Sequence, residues 1–159
     1  MKILVFTEGT ILMHKNAEGL KRKKIIKQVK EKEISVKDYA NYIPIKGSIE
    51  KLSLWKNQGA EIIYLTSRKS KKEINQIRDI LKKYNFPKGT LFFRKEGEEY
   101  KDVAERVSPD VLIEDDCESI GGIKMTITYI KSQIKKKIKS VSVKEFAGIN
   151  NLPNNFKDL

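Results

Sequence analysis

The ten residues Met1-Lys2-Ile3-Leu4-Val5-Phe6-Thr7-Glu8-Gly9-Thr10 decide how this chain is read. A short apolar run over residues 2–7 ends in a glycine-containing turn, the pattern of a strand buried on both faces of a parallel sheet. Such a strand delivers Thr7 and Glu8 to its C-terminal edge. In an open parallel sheet, ligands bind outside that edge where the strand order reverses, so the polar residues ending each strand are the ones to follow.

Working outward, Leu20, Ile25, Ile26 and Val29 recur near helical spacing among lysines between Glu18 and Glu33. Residues 14–46 therefore read as a helical insertion after strand one, its amphipathic helix lying outside the core. Ser48 to Gln58 reads as a helix with Ile49, Leu52 and Trp55 on one face, closed by Gly59 where a left-handed residue is preferred. Strand Glu61–Leu65 follows. Ser70-Lys71-Lys72-Glu73 fits a capping box opening a helix that carries Ile74, Ile77, Leu81 and Tyr84. Residues 91–93 supply a short third strand, and a helix from Glu99 to Val107 leads into Val111-Leu112-Ile113, which ends in Glu114-Asp115-Asp116. Met125 to Ile130 and Val141 to Val143 read as further strands separated by a basic helix, with residues 144–159 winding down through turns. Strands alternating with helices predict an α/β fold, a doubly wound and mostly parallel sheet.

Composition bounds the answer. A chain of 159 residues with 39% hydrophobic content, one Trp, six Phe and six Tyr suits a single domain over 1–159 with a real core. No apolar run approaches the roughly 20 residues that cross a bilayer, and Ile3-Leu4-Val5-Phe6 is too short for a signal-peptide core, so no membrane association and a cytoplasmic location are expected. Cys117 is the only cysteine, which excludes an internal disulfide and gives it a structural role. The net charge of +12 clusters in Lys21-Arg22-Lys23-Lys24 and Lys135-Lys136-Lys137. Such clusters attract phosphate-rich ligands or nucleic acid. The plainer account, lysines solvated on helix faces, carries more weight. His14, the sole histidine, reads as a surface residue.

Three strand ends carry chemistry: Thr7-Glu8-Gly9-Thr10, Thr66-Ser67-Arg68 and Glu114-Asp115-Asp116, with Lys101 ahead of the last. Singly, each has a bland reading: a common turn, a hydroxyl capping the next turn, a solvated lysine. The most specific is Glu114-Asp115-Asp116, because adjacent carboxylates repel one another unless a cation or basic side chain compensates. Their order from Phe6 to Asp116 resembles the four motifs of the haloacid dehalogenase (HAD) superfamily. The resemblance implies a Rossmann-like core, phosphoryl chemistry, and a phosphorylated small molecule or nucleotide as ligand. It implies that Gly9, Thr10, Thr66, Ser67 and Lys101 grip the phosphoryl group, while Glu8, Asp115 and Asp116 hold Mg2+ and Glu118 trails as an outer carboxylate. Oxygen ligands for a hard cation, hydroxyl or amide donors and a lysine charge are what a phosphoryl site needs.

The sequence departs from that pattern at its first motif. Laying Asp-x-Asp-Gly-Thr on Gly9-Thr10 puts Glu8 at the second aspartate and Phe6 at the nucleophile. Phenylalanine can neither attack phosphorus nor bind a metal. Glu8 keeps a carboxylate for acid–base work, its reach moved by roughly 1.5 Å. Thr7 is a weak nucleophile unless a base or metal activates it, and a third route is attack by metal-bound water held between Glu8, Asp115 and Asp116. Residues 14–46 suffice for a minimal cap, which leaves the site open to a macromolecule, but no aromatic residues interleave Lys21 to Lys32 for base stacking. Two functions follow. One is a phosphohydrolase with a nonstandard nucleophile and Glu8, Thr7 and Lys101 as catalytic residues. The other is a catalytically degenerate protein that binds a phosphorylated ligand, nucleic acid or protein without turnover. The retained motifs serve both.

Overall fold

A computed structural model describes residues 1–122 and 125–159. The chain runs β1 (Lys2–Phe6), β2 (Leu12–Met13), α1 (Arg22–Lys30), β3 (Ile43–Pro44), α2 (Ser48–Asn57), β4 (Glu61–Leu65), α3 (Lys71–Lys83), β5 (Thr90–Phe92), α4 (Tyr100–Val107), β6 (Val111–Asp115), α5 (Ser132–Lys135) and β7 (Lys139–Val143), with short 3-10 turns between. Five strands form one parallel sheet in the order β5-β4-β1-β6-β7. The chain builds outward from β1 through β4 to β5, then returns to the other side of β1 for β6 and β7. The C-terminal end of β1 therefore stands at the reversal of strand order.

Period-two alternation divides the core into two layers. Ile3, Val5, Ile62, Tyr64, Val111 and Ile113 face the layer that holds Trp55, Ile77 and Ile80. Leu4, Ile63, Leu65 and Leu112 face the layer that holds Val103, Ala104 and Val107. The α/β doubly wound sheet expected from the sequence is thus the architecture observed, and α2, α3 and α4 lie within a residue or two of their expected bounds. At the start of α3, Ser70 Oγ accepts the Glu73 N–H at 3.2 Å. A reciprocal capping box opens α4 through Glu99 and Asp102.

Two expectations are corrected. Met125 to Ile130 is not a strand: Thr126–Tyr129 is a 3-10 turn. The buried Glu114 carboxylate accepts the N–H groups of Thr126 (2.9 Å) and Ile127 (3.3 Å), so neither is free for a sheet ladder, and the adjacent edge of β6 is taken by β7. The helix α1 stands outside both core layers, as expected, with Ile25 and Ile26 buried against neighbouring turns that include Glu118–Ile120, while Tyr39 and Tyr42 of the same insertion pack toward α3 in the main core. Pairing of Leu12 with Pro44 and Met13 with Ile43 closes the neck of the insertion. The tail does not simply wind down, since Ile149, Phe156 and Leu159 are buried. Lys51 Nζ donates to Leu152 O at 2.7 Å and Trp55 Nε1 to Pro153 O at 3.0 Å, which seals the tail over α2.

Candidate functional site

The carboxyl ends of β1, β4, β6 and β7 converge on a cavity of about 230 Å³. Glu8, just past β1, is its best-partnered side chain. Its Oε1 accepts from Thr66 Oγ1 at 2.6 Å and Arg68 Nε at 3.1 Å. Its Oε2 accepts from Thr7 Oγ1 at 2.5 Å and from the Ser67 N–H at 3.2 Å. Pairing of Phe6 with Leu65 in the β1–β4 register brings these two loops together. Thr7, Thr66 and Ser67, read from the sequence as catalytic or phosphate-gripping groups, are thus gathered around a carboxylate of the protein itself.

The charge at this end comes from Arg68, not from Lys101. Arg68 also donates to Tyr39 OH and to Ser67 Oγ, and its guanidinium lies 4.4 Å over the Tyr39 ring. Lys101 pairs with its neighbour Glu99 at 3.4 Å and is not among the residues lining the cavity. A second guanidinium, Arg94, stacks 4.0 Å over Tyr100 and reaches Ser67 O at 3.4 Å. Phe6 is half-buried on the cavity wall, edge-on to Tyr100 with centroids 5.1 Å apart.

On the other side, Gly9 adopts φ +82°, and a Cβ there would meet Asp115 Oδ2 at 2.8 Å and Glu145 Cγ at 3.3 Å. Only glycine lets the first loop lie flat against both acids. Thr10, fully buried, donates its hydroxyl to Asp115 Oδ2 at 2.9 Å, and the Cys117 N–H donates to Oδ1 at 2.9 Å. Glu145, past the end of β7, accepts from Ser119 N at 2.6 Å and Ser119 Oγ at 2.7 Å. Burial pushes the carboxyls of Asp115, Glu145 and Glu114 above their ordinary range. It also pushes the Cys117 thiol up to about 12, where it is inert as a nucleophile. Asp116 behaves differently. Burial raises it, but Lys144 at 2.9 Å, the Glu145 N–H and the neighbouring positive charges together hold it below the usual carboxylate range.

These contacts test the expected magnesium site. Glu8 faces a guanidinium, Asp116 faces Lys144, Glu118 pairs with Arg22, and Asp115 has both oxygens engaged by hydroxyl and amide donors. Among the described residues no group of three or more His, Cys, Asp or Glu side chains is disposed to hold a metal ion. A hard divalent cation needs several convergent oxygens, and this arrangement does not fit one.

Two cavity residues were invisible or misread in the sequence. Glu145 was missed, although the strand-end rule applied to β7 points to it. His14 is not a surface residue but 1% exposed, with Nε2 bonded to Gln28 Oε1 at 2.8 Å and its ring edge-on to Phe146. Its polar neighbour lies on α1, fourteen residues away, beyond any local pattern.

Among the described residues, no helix is long and apolar enough to cross a membrane. No family model and no curated protein matches the sequence. Solved structures do match in shape. A class C acid phosphatase from Bacillus anthracis with tungstate bound superposes with a TM-score of 0.56 at 17% identity, covering 99% of this chain and 73% of that one. A chain of the Pnkp1/Rnl/Hen1 RNA repair complex gives 0.54 at 12% identity, covering 90% of this chain and 43% of that one. A second structure of that complex gives 0.54 at 13% identity over 91% and 47%. The present chain spans less than half the length of the two RNA-repair chains. Sheet order, the position of the site at the reversal of that order, and these superpositions agree: the chain has a haloacid dehalogenase-like fold.

Proposed function

We propose that this protein is a catalytically degenerate HAD-like protein that binds its ligand without turning it over. The observation that carries the reading is the Glu8 carboxylate, which takes up two hydroxyls, a backbone amide and a guanidinium. Donors engaged by an internal anion are not available to a substrate oxyanion unless that anion leaves. Phe6 supports the same reading, since its ring lines the cavity at the position the family resemblance gives to the nucleophile. The acids past β6 support it too, because their oxygens are committed to hydroxyl and amide donors or to Lys144. Of the ligands expected from the sequence, a phosphorylated one has the weakest support, its gripping groups being already held. Residues 14–46 act as a minimal cap, contributing Tyr39, Tyr42 and His14 to the wall.

The test is phosphate release from p-nitrophenyl phosphate, nucleotides and sugar phosphates with magnesium, comparing wild type, Asp115→Ala and Phe6→Asp. Wild type is expected to release no more than Asp115→Ala. Turnover by wild type that Asp115→Ala abolishes overturns the reading in favour of a phosphohydrolase with a nonstandard nucleophile.

A further inference from the structure

We infer that the cavity between the sheet edge and the insertion is a binding site for an organic cation with N–H donors, a primary ammonium or a guanidinium group. The inference rests on the reading that this pocket binds a ligand without hydrolysing it, and it names the ligand's chemistry.

The charge distribution comes first. Glu8, Asp115, Glu145 and Arg68 all line the cavity. Arg68 is matched to Glu8 at 3.1 Å. Asp115 and Glu145 have no Lys or Arg partner among the described residues, and they lie against the same face of Gly9. Their donors, the Thr10 hydroxyl, the Cys117 amide and the Ser119 amide and hydroxyl, are all neutral. Two carboxylates held side by side with neutral partners repel an incoming phosphate and attract a positive group.

A second, independent feature is an orphaned atom. Gln28 Nε2 donates to Asn16 O at 3.1 Å, which turns its Oε1 toward His14 Nε2. An amide oxygen only accepts, so Nε2 carries a ring proton, and in the neutral ring Nδ1 presents a lone pair. That Nδ1 is buried and has no partner among the described residues, although His14 lines the cavity. A buried acceptor left unpaired costs free energy that a ligand donor would recover.

The remaining walls decide between kinds of cation. Tyr42 and Phe146 present aromatic surface to the cavity, whereas Tyr39 and Tyr100 already carry the guanidinium groups of Arg68 and Arg94. Aromatic faces attract organic cations through their quadrupole but offer no ligand set for a hard metal ion. The volume suits an alkyl ammonium or guanidinium group of the size of a lysine or arginine side chain.

The test is isothermal titration of the full chain with n-butylammonium chloride, with n-butanol as the neutral isostere and magnesium chloride and sodium phosphate as competitors. Wild type should bind butylammonium saturably and butanol at least about tenfold more weakly, the loss of one charge-assisted contact. His14→Phe and Glu145→Gln, each checked for folding by circular dichroism, should each weaken butylammonium binding by about tenfold. The inference is overturned if wild type shows no saturable butylammonium binding, if butanol binds equally well, if both folded variants bind like wild type, or if magnesium displaces the amine at the site. The butanol comparison needs no variant to fold. Phosphate release is a separate assay, so failure of amine binding and failure of the non-hydrolytic reading are told apart.

Discussion

The two sides of the pocket hold carboxylates in opposite ways. Past β1, Glu8 is paired with Arg68 and bonded by three further donors, so its charge is compensated within the protein. Past β6 and β7, Asp115 and Glu145 each accept two hydrogen bonds, and among the described residues all of these come from neutral groups. A hydrogen bond satisfies an oxygen's geometry without cancelling its charge. The first side is therefore closed to an external anion, and the second remains a negative field facing the cavity.

The largest effect that would break this comparison is expected from Arg68→Ala. It leaves Glu8, 12% exposed at its side chain, without a counter-charge, and the cost is about 2–3 kcal/mol, set below the fully buried case because Arg68 is 25% exposed. Urea denaturation reads it. The double variant Glu8→Gln with Arg68→Ala should recover part of the loss, and an Arg68→Ala cost no larger than an ordinary surface substitution would mean that Glu8 is not held by this pair. Next comes Gly9→Ala. The φ of +82° and the 2.8 Å approach to Asp115 Oδ2 predict a loss of about 1–2 kcal/mol, measured in the same way.

The smallest effect sharpens the comparison through pH. Burial raises the Glu145 carboxyl in the folded state above its ordinary value of 4.5. The unfolded chain then ionises more readily than the folded one, so this group favours folding below that value and its contribution is lost as pH rises through the folded-state value. Glu145→Gln has no such dependence. Its melting temperature relative to wild type should therefore climb from pH 4 to pH 7, and a flat difference would show that Glu145 carries no burial penalty.

Much of the fold was legible because its signals are local. Trp55, Leu52 and Ile49 repeat at helical spacing, and Ile62 to Leu65 form an apolar run long enough for one strand, so propensity and pattern agree. The segment Met125 to Ile130 misled because its apolar and threonine content favours a strand, while a buried carboxylate twelve residues upstream claims its N–H groups. The site divided in the same way. Thr7, Glu8, Thr66, Ser67 and Asp115 were found as strand ends and do meet. Lys101 has the charge and the place in order, but it pairs with Glu99 beside it. Arg68 stands in the same triplet as Thr66 and Ser67, but nothing local says which cation a carboxylate meets.

The sequence by itself determined the alternation of strands and helices, the delivery of hydroxyls and acids to one sheet edge, and a phenylalanine at the position that the family resemblance gives to a nucleophile. Tertiary structure alone decided that Glu8 meets Arg68 sixty residues away, that Asp115 and Glu145 meet at Gly9 with no Lys or Arg partner among the described residues, and that His14 turns inward with its Nδ1 unpaired among them. Periodicity and propensity are properties of neighbours along the chain, whereas charge compensation depends on distance through space, which exists only once the sheet has set its strand order.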